Sequence, residues 1–181
     1  MFWNEEIYRQ TISFAAKAHA TQKIPGMDIP YLKHIATVAM ETALGILHTP
    51  PEAHLDIDFA IQCALLHDTL EDTHINYEDL EISFGKKVAD AVLALTKNKE
   101  LPKEKQMEDS LMRILAQPNE VRLVKMCDRI DNLCIPPVHW TTKKKRYYQK
   151  EAQYILDTLK GISNYVETRL QQKIDAYTNY L

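Results

Sequence analysis

Apolar residues recur at helical spacing along most of this chain, and Pro, Gly or Asn stands at most of the breaks. From Glu5 to about Ala20 the apolar positions are Ile7, Ile12, Phe14, Ala15 and Ala18, with no Gly or Pro between them, which predicts a first helix. Pro25-Gly26 and Pro30 predict a loop over residues 21–30. A second helix is expected from about Tyr31 to Leu47, entered after Pro30 and closed before Pro50-Pro51. Beyond a connection over 50–57, the run Phe59 to Leu66 is apolar on nearly every side, which suggests a helix inside the core. His67 and Asp68 read as its continuation to about Leu70.

Asn76 suits the N-cap of a short helix over Tyr77 to Ser83 that Gly85 stops, and Lys86 to Leu95 carries a stripe at Val88, Ala89, Val92 and Leu95. The run from Lys97 to Lys105 reads as a solvated loop, with helix resuming over Glu108 to Ala116 until Pro118. Asn119 is then expected to cap a helix whose stripe is Val121, Val124 and Cys127. Asp128 falls on that apolar face, where Arg129 or Lys125 could pair with it. Pro136-Pro137 ends this helix. Thr142 to Leu181 is helical in pattern with a break at Gly161, its tyrosines reading as packing residues. No segment alternates with period two, so the expected fold is all-α, a single domain over 1–181.

Composition narrows the chemistry. A net charge of -3 gives no bulk basic surface for a nucleic acid polymer, and no apolar stretch approaches membrane-spanning length. With four Gly and no Gly-rich run, neither a P-loop nor a dinucleotide fingerprint is available. Phosphate binding would therefore fall to side chains and metal. Cys63, Cys127 and Cys134 lack Cys-x-x-Cys spacing and read as small core residues in a reducing compartment, with the cytoplasm as the default location.

The chemistry concentrates in Ala64-Leu65-Leu66-His67-Asp68-Thr69-Leu70-Glu71-Asp72-Thr73. A carboxylate carried into a core costs several kcal/mol or more unless a cation meets it. On one continuous helix His67 and Glu71, and likewise Asp68 and Asp72, are i, i+4 pairs, so metal ligands would sit one turn before an acid/base pair. With His34 and Asp128 on separate helices, two imidazoles and two carboxylates suit a divalent cation such as Mn, Fe or Zn, with Mg as a further option. No thiolate enters the set. That favours hydrolysis, in which a metal lowers the pKa of water and neutralises phosphoryl charge.

The order His34, His67-Asp68, Asp128 resembles the HD-domain metal-dependent phosphohydrolases, and the surrounding text resembles the small stand-alone RelA/SpoT-type alarmone hydrolases. The matching pieces are Phe14 to His19, Pro30 to His34, Ala64 to Thr73, Phe84 to Ala89 and Val124 to Leu133. The resemblance implies an HD-type helical bundle holding one divalent ion, usually Mn, through His34, His67, Asp68 and Asp128. It implies that Glu71 and Asp72 position or activate water, that the Asn132 amide contacts nucleotide, and that the 3′ pyrophosphate of guanosine tetra- or pentaphosphate is removed.

Two segments depart from that pattern. An Arg-Lys pair before Pro-Tyr is replaced by Ile24-Pro25, leaving Lys23 as the basic residue for substrate, and the run after Asp128 reads Asp131-Asn132-Leu133-Cys134-Ile135-Pro136. Lys143, Lys144, Lys145 and Arg146 fall near the region that meets substrate phosphates in the family, but the run reads first as a solvated helix start. The alternatives are a phosphatase or pyrophosphatase of another nucleotide, or a non-catalytic interaction module with an HD fold. The oligomeric state stays open.

Overall fold

The computed structural model describes residues 3–181. Its ten α-helices are α1 (Glu5–Ala18), α2 (Leu32–Leu47), α3 (Ile57–Leu66), α4 (Thr69–Asp72), α5 (Tyr77–Phe84), α6 (Lys86–Leu95), α7 (Lys103–Leu115), α8 (Asn119–Asn132), α9 (Thr142–Leu159) and α10 (Asn164–Ala176). Short 3-10 turns occupy Pro51–Ala53 and Tyr177–Tyr180. The fold is all-α; among the described residues the sole β-type pairing is an isolated bridge between Lys23 and Pro30 that closes the 21–30 loop.

Helices α2, α3 and α8 pack on one another at the centre. The α3 run explains why: Ile57, Phe59, Ala60, Ile61, Cys63, Ala64, Leu65 and Leu66 are all buried, so α1, α2, α6 and α8 cover it from several directions. Helices α9 and α10 close the outer side of α8. Two ion pairs fasten these layers. Arg169 of α10 makes a bidentate contact with the buried Glu41 of α2, and Arg129 of α8 reaches Glu151 of α9 at 2.8 Å.

Local chemistry sets several boundaries. Asn76 and Asp79 form a reciprocal capping box at the start of α5. Gly85 then links α5 to α6 at φ 84°, a left-handed conformation open to glycine at little cost. Other boundaries differ from the expectation. Helix α7 begins at Lys103, five residues early, because Pro102 starts it and Met107, Ser110, Leu111 and Ile114 bury a common stripe. Asn119 is the first residue inside α8; its side chain accepts from Arg122 at 3.3 Å, and Pro118 precedes the helix without a side-chain cap. Cys63 and Cys127 are buried as expected, whereas Cys134 is exposed beyond the end of α8.

The main departure lies at the site. Helix α3 ends at Leu66, and Asp68, at φ -101° and ψ 0°, precedes the separate single turn α4. Two side chains take the carbonyls freed there: His67 Nδ1 donates to Ala64 O at 2.8 Å, and Thr69 Oγ1 donates to Leu66 O at 2.7 Å. His67 and Asp68 therefore do not continue one regular helix.

Candidate metal centre and active site

This break brings His67 and Asp68 together. Adjacent residues of a regular helix project about 100° apart, yet His67 Nε2 and Asp68 Oδ2 are 3.0 Å apart here. His34, in the first turn of α2, faces them with Nε2 3.2 Å from His67 Nε2 and 3.6 Å from Asp68 Oδ2. Asp128, on α8, brings Oδ1 to 3.5 Å from His34 Nε2 and 3.7 Å from His67 Nε2. The four candidate ligands thus come from α2, the α3–α4 junction and α8, with donor atoms of His34, His67 and Asp68 all within 4.8 Å of one another.

The ring orientations test whether a cation fits. A carboxylate and a carbonyl can only accept, so Nδ1–H of His34 donates to Asp131 Oδ2 at 2.7 Å, and Nδ1–H of His67 donates to Ala64 O. Both neutral rings would then aim Nε2 lone pairs at the same small volume beside two carboxylates. That arrangement requires a positive charge. Donor atoms about 2.0–2.2 Å from an ion lie about 2.8–3.6 Å apart at adjacent positions of an octahedron or tetrahedron, close to the separations of 3.0 to 3.7 Å found here. The residues fit a divalent metal.

The electrostatics agree. Burial opposes charge on His34, but hydrogen bonds to Asp128 and Asp131 and the field of Asp128 and Asp68 outweigh it and push the imidazole up to about 10. His67 moves upward as well, burial being overcome by Asp68. Burial would raise Asp68, but His67 holds it below the usual carboxylate range. For Asp128 the same opposition is overcome chiefly by the Lys125 ammonium, whose Nζ is 2.9 Å from Oδ2. The pocket therefore favours positive charge, whether protons or a metal supply it.

Glu71 and Asp72 lie on α4, immediately beyond the candidate ligands His67 and Asp68. The Glu71 carboxylate accepts from Lys97 N at 3.2 Å and from Lys97 Nζ at 3.3 Å, and Lys99 Nζ donates to the Glu71 carbonyl at 2.7 Å. Lys97 is therefore half-buried at the site rather than in a solvated loop. Asp72 Oδ2 accepts from Gln22 at 3.0 Å. Lys23 forms an ion pair with Asp28 within its own loop, and the Asn132 amide donates to Asp128 Oδ1. Both proposed substrate contacts thus have intramolecular partners.

A cleft of about 540 Å³ adjoins Glu71 and Lys97 and is lined also by Lys103, Gln106, Met107, Trp140, Lys144, Tyr147, Tyr148 and Glu151. Lys144 lies over the Trp140 ring at 4.0 Å, so this member of the basic run faces a cavity. Sequence reasoning also missed Tyr31, whose hydroxyl donates to Asp68 Oδ2 at 2.5 Å, and the role of Asp131. The Pro-Tyr motif was a signal for Tyr31. No local signal linked Asp131 to His34, 97 residues away.

The fold and donor set define a helical HD-type hydrolase, and the chain belongs to the HD-domain family, whose model matches residues 11–160. Among known proteins it is similar to guanosine-3′,5′-bis(diphosphate) 3′-pyrophosphohydrolase MESH1 of Danio rerio, with 33% identity over 169 residues covering 90% of this chain and 89% of that protein. The guanosine-3′,5′-bis(diphosphate) 3′-pyrophosphohydrolase of Aquifex aeolicus is 37% identical over 146 residues, 78% of this chain but 19% of that longer protein. A solved structure of a metazoan ortholog of SpoT that hydrolyzes ppGpp matches with a TM-score of 0.82 and 25% identity, covering 97% of this chain and 98% of that one. HD hydrolase membership implies a divalent metal, with His34, His67 and Asp68 as its possible site. No helix among the described residues is long and apolar enough to cross a membrane.

Proposed function

We propose that the chain hydrolyses guanosine 3′,5′-bis(diphosphate) to guanosine 5′-diphosphate and pyrophosphate. The observation that carries this reading is the pair of Nε2 atoms 3.2 Å apart, flanked by Asp68 and Asp128 and followed by Glu71 and Asp72, in a chain similar over most of its length to enzymes of that activity. His34, His67, Asp68 and Asp128 would hold the metal, for which we favour Mn. A divalent ion bound there supplies Lewis acidity toward water and phosphoryl oxygens.

The remaining work falls to this chain's residues. Glu71 takes a proton from the attacking water, and the water oxygen forms the new bond to the phosphorus attached to the ribose 3′ oxygen. The bond from that phosphorus to the 3′ oxygen breaks, and the proton taken up by Glu71 passes by way of Asp72 to the leaving 3′ oxygen. Lys97, Lys103 and Lys144 offer positive charge to the substrate phosphates, while Trp140, Tyr147 and Tyr148 offer aromatic surface to its base. The two buried free thiols suit a reducing, cytoplasmic setting.

A second reading, another phosphorylated nucleotide as substrate, is favoured by the Lys23–Asp28 pair and by Ile24 and Pro25 in the same loop. One experiment decides between them: metal-stripped and Mn-loaded protein are incubated with guanosine tetraphosphate and a nucleotide panel, and the products are separated by ion exchange. Guanosine 5′-diphosphate plus pyrophosphate supports the first reading. Turnover of another nucleotide alone supports the second, and no turnover with any metal excludes both.

A further inference from the structure

We infer that His19 and Gln22 form a two-residue relay that positions Asp72 for proton transfer. The inference rests on the hydrolase reading above and extends it to residues outside the metal cluster and its acid pair. His19 lies just beyond α1 and is 3% exposed. Its Nδ1 is 2.6 Å from Gln22 Oε1, and Gln22 Nε2 donates to Asp72 Oδ2 at 3.0 Å.

Chemistry assigns every proton along this line. A carboxylate accepts only, so the Gln22 amide must turn its NH2 toward Asp72 and its carbonyl toward His19. The carbonyl likewise accepts only, so His19 Nδ1 carries a hydrogen. His19 Nε2 is buried without a hydrogen-bond partner among the described residues. The Nδ1 contact holds the amide in the orientation that donates to Asp72. Packing of the His19 ring 5.2 Å from Tyr31, whose hydroxyl reaches Asp68, fixes the relay against the same wall as the metal ligands.

The consequence is a carboxylate on a one-turn helix whose direction is set from outside that helix. Asp72 is exposed, and without Gln22 no other side chain among the described residues donates to it. Gln22 and His19 are thus positioning residues, while Asp72 is the group that meets the leaving oxygen.

The test compares wild type with Gln22→Leu, His19→Phe and His19→Asn, all Mn-loaded, after metal content and thermal unfolding have been measured. Misplacement of a reacting group costs about 10- to 100-fold in rate, so Gln22→Leu and His19→Phe should lower kcat by about that factor with KM and Mn content unchanged. His19→Asn keeps an N–H near the Nδ1 position and should recover most of kcat. In wild type, 15N shifts should show His19 as the Nδ1–H tautomer; Gln22→Leu should abolish that preference. Unchanged kcat in Gln22→Leu, equal losses in His19→Phe and His19→Asn, or an Nε2–H tautomer in wild type overturns the relay. Should His19→Phe fail to fold, Gln22→Leu and the tautomer decide. Wild-type protein inactive on every nucleotide overturns the hydrolase reading and the positioning role with it, a result distinct from active wild type with indifferent variants.

Discussion

Asp131 accepts the Nδ1 proton of His34 at 2.7 Å and is itself met by Lys33 Nζ at 2.9 Å, so an acid on α8 fixes the ring on α2. The carboxylate is held below its usual range, burial being outweighed by the bonds from His34 and Lys33. A carboxylate behind a metal-binding imidazole raises its basicity and sets its tautomer. Asp131, which departs from the family pattern in sequence, thus orients the candidate ligand His34. Asp131→Leu should weaken Mn binding by about 10- to 100-fold, measured by competition with a chromophoric chelator; unchanged affinity would rule out this orienting role.

The ligand and acid/base roles separate by mutation. Asp68→Ala should remove Mn binding and activity together. Glu71→Ala should keep the metal and lose about 10²- to 10⁴-fold in kcat. Metal content by elemental analysis alongside steady-state kinetics distinguishes the two, and loss of metal from Glu71→Ala would reverse the assignment.

Protons and metal compete for His34. With its imidazole pushed from 6.5 up to about 10, the metal-free protein carries a proton there at pH 7 that a divalent metal would have to displace to bind. Calorimetric titrations in two buffers of unlike protonation enthalpy should reveal proton release, and affinity should strengthen as pH rises. The stability consequence has a definite sign. A raised pKa contributes stability that is fully present below about 6.5 and is lost as pH rises through about 10. Metal-stripped protein should therefore lose stability over that window, read from denaturant midpoints, and Mn-loaded protein should lose less.

The core around α3 supports the site mechanically. Leu65 has no exposed surface and lies two residues before His67. Leu65→Ala should lower unfolding free energy by about 2–5 kcal/mol, measured by urea denaturation of the metal-free form. At the periphery, Asn76→Ala removes the α5 cap and should cost about 1 kcal/mol.

Periodicity alone indicated the helical class, the buried character of α3 and the presence of acids and imidazoles on apolar faces, because burial leaves a local record in residue type. It placed Asp128 on a core-facing stripe and named Lys125 as a possible partner, which the 2.9 Å contact bears out. Only tertiary structure decided how His67 and Asp68 meet at 3.0 Å, since a regular helix would splay them and the break depends on side chains capping Ala64 and Leu66 carbonyls. Tertiary structure also decided that Asp131 serves His34 and that Gln22 serves Asp72, pairings 97 and 50 residues apart. Such pairings leave no periodic trace: a hydrogen bond between distant residues is set by how helices cross, and the side chains involved are ordinary polar residues in their own neighbourhoods.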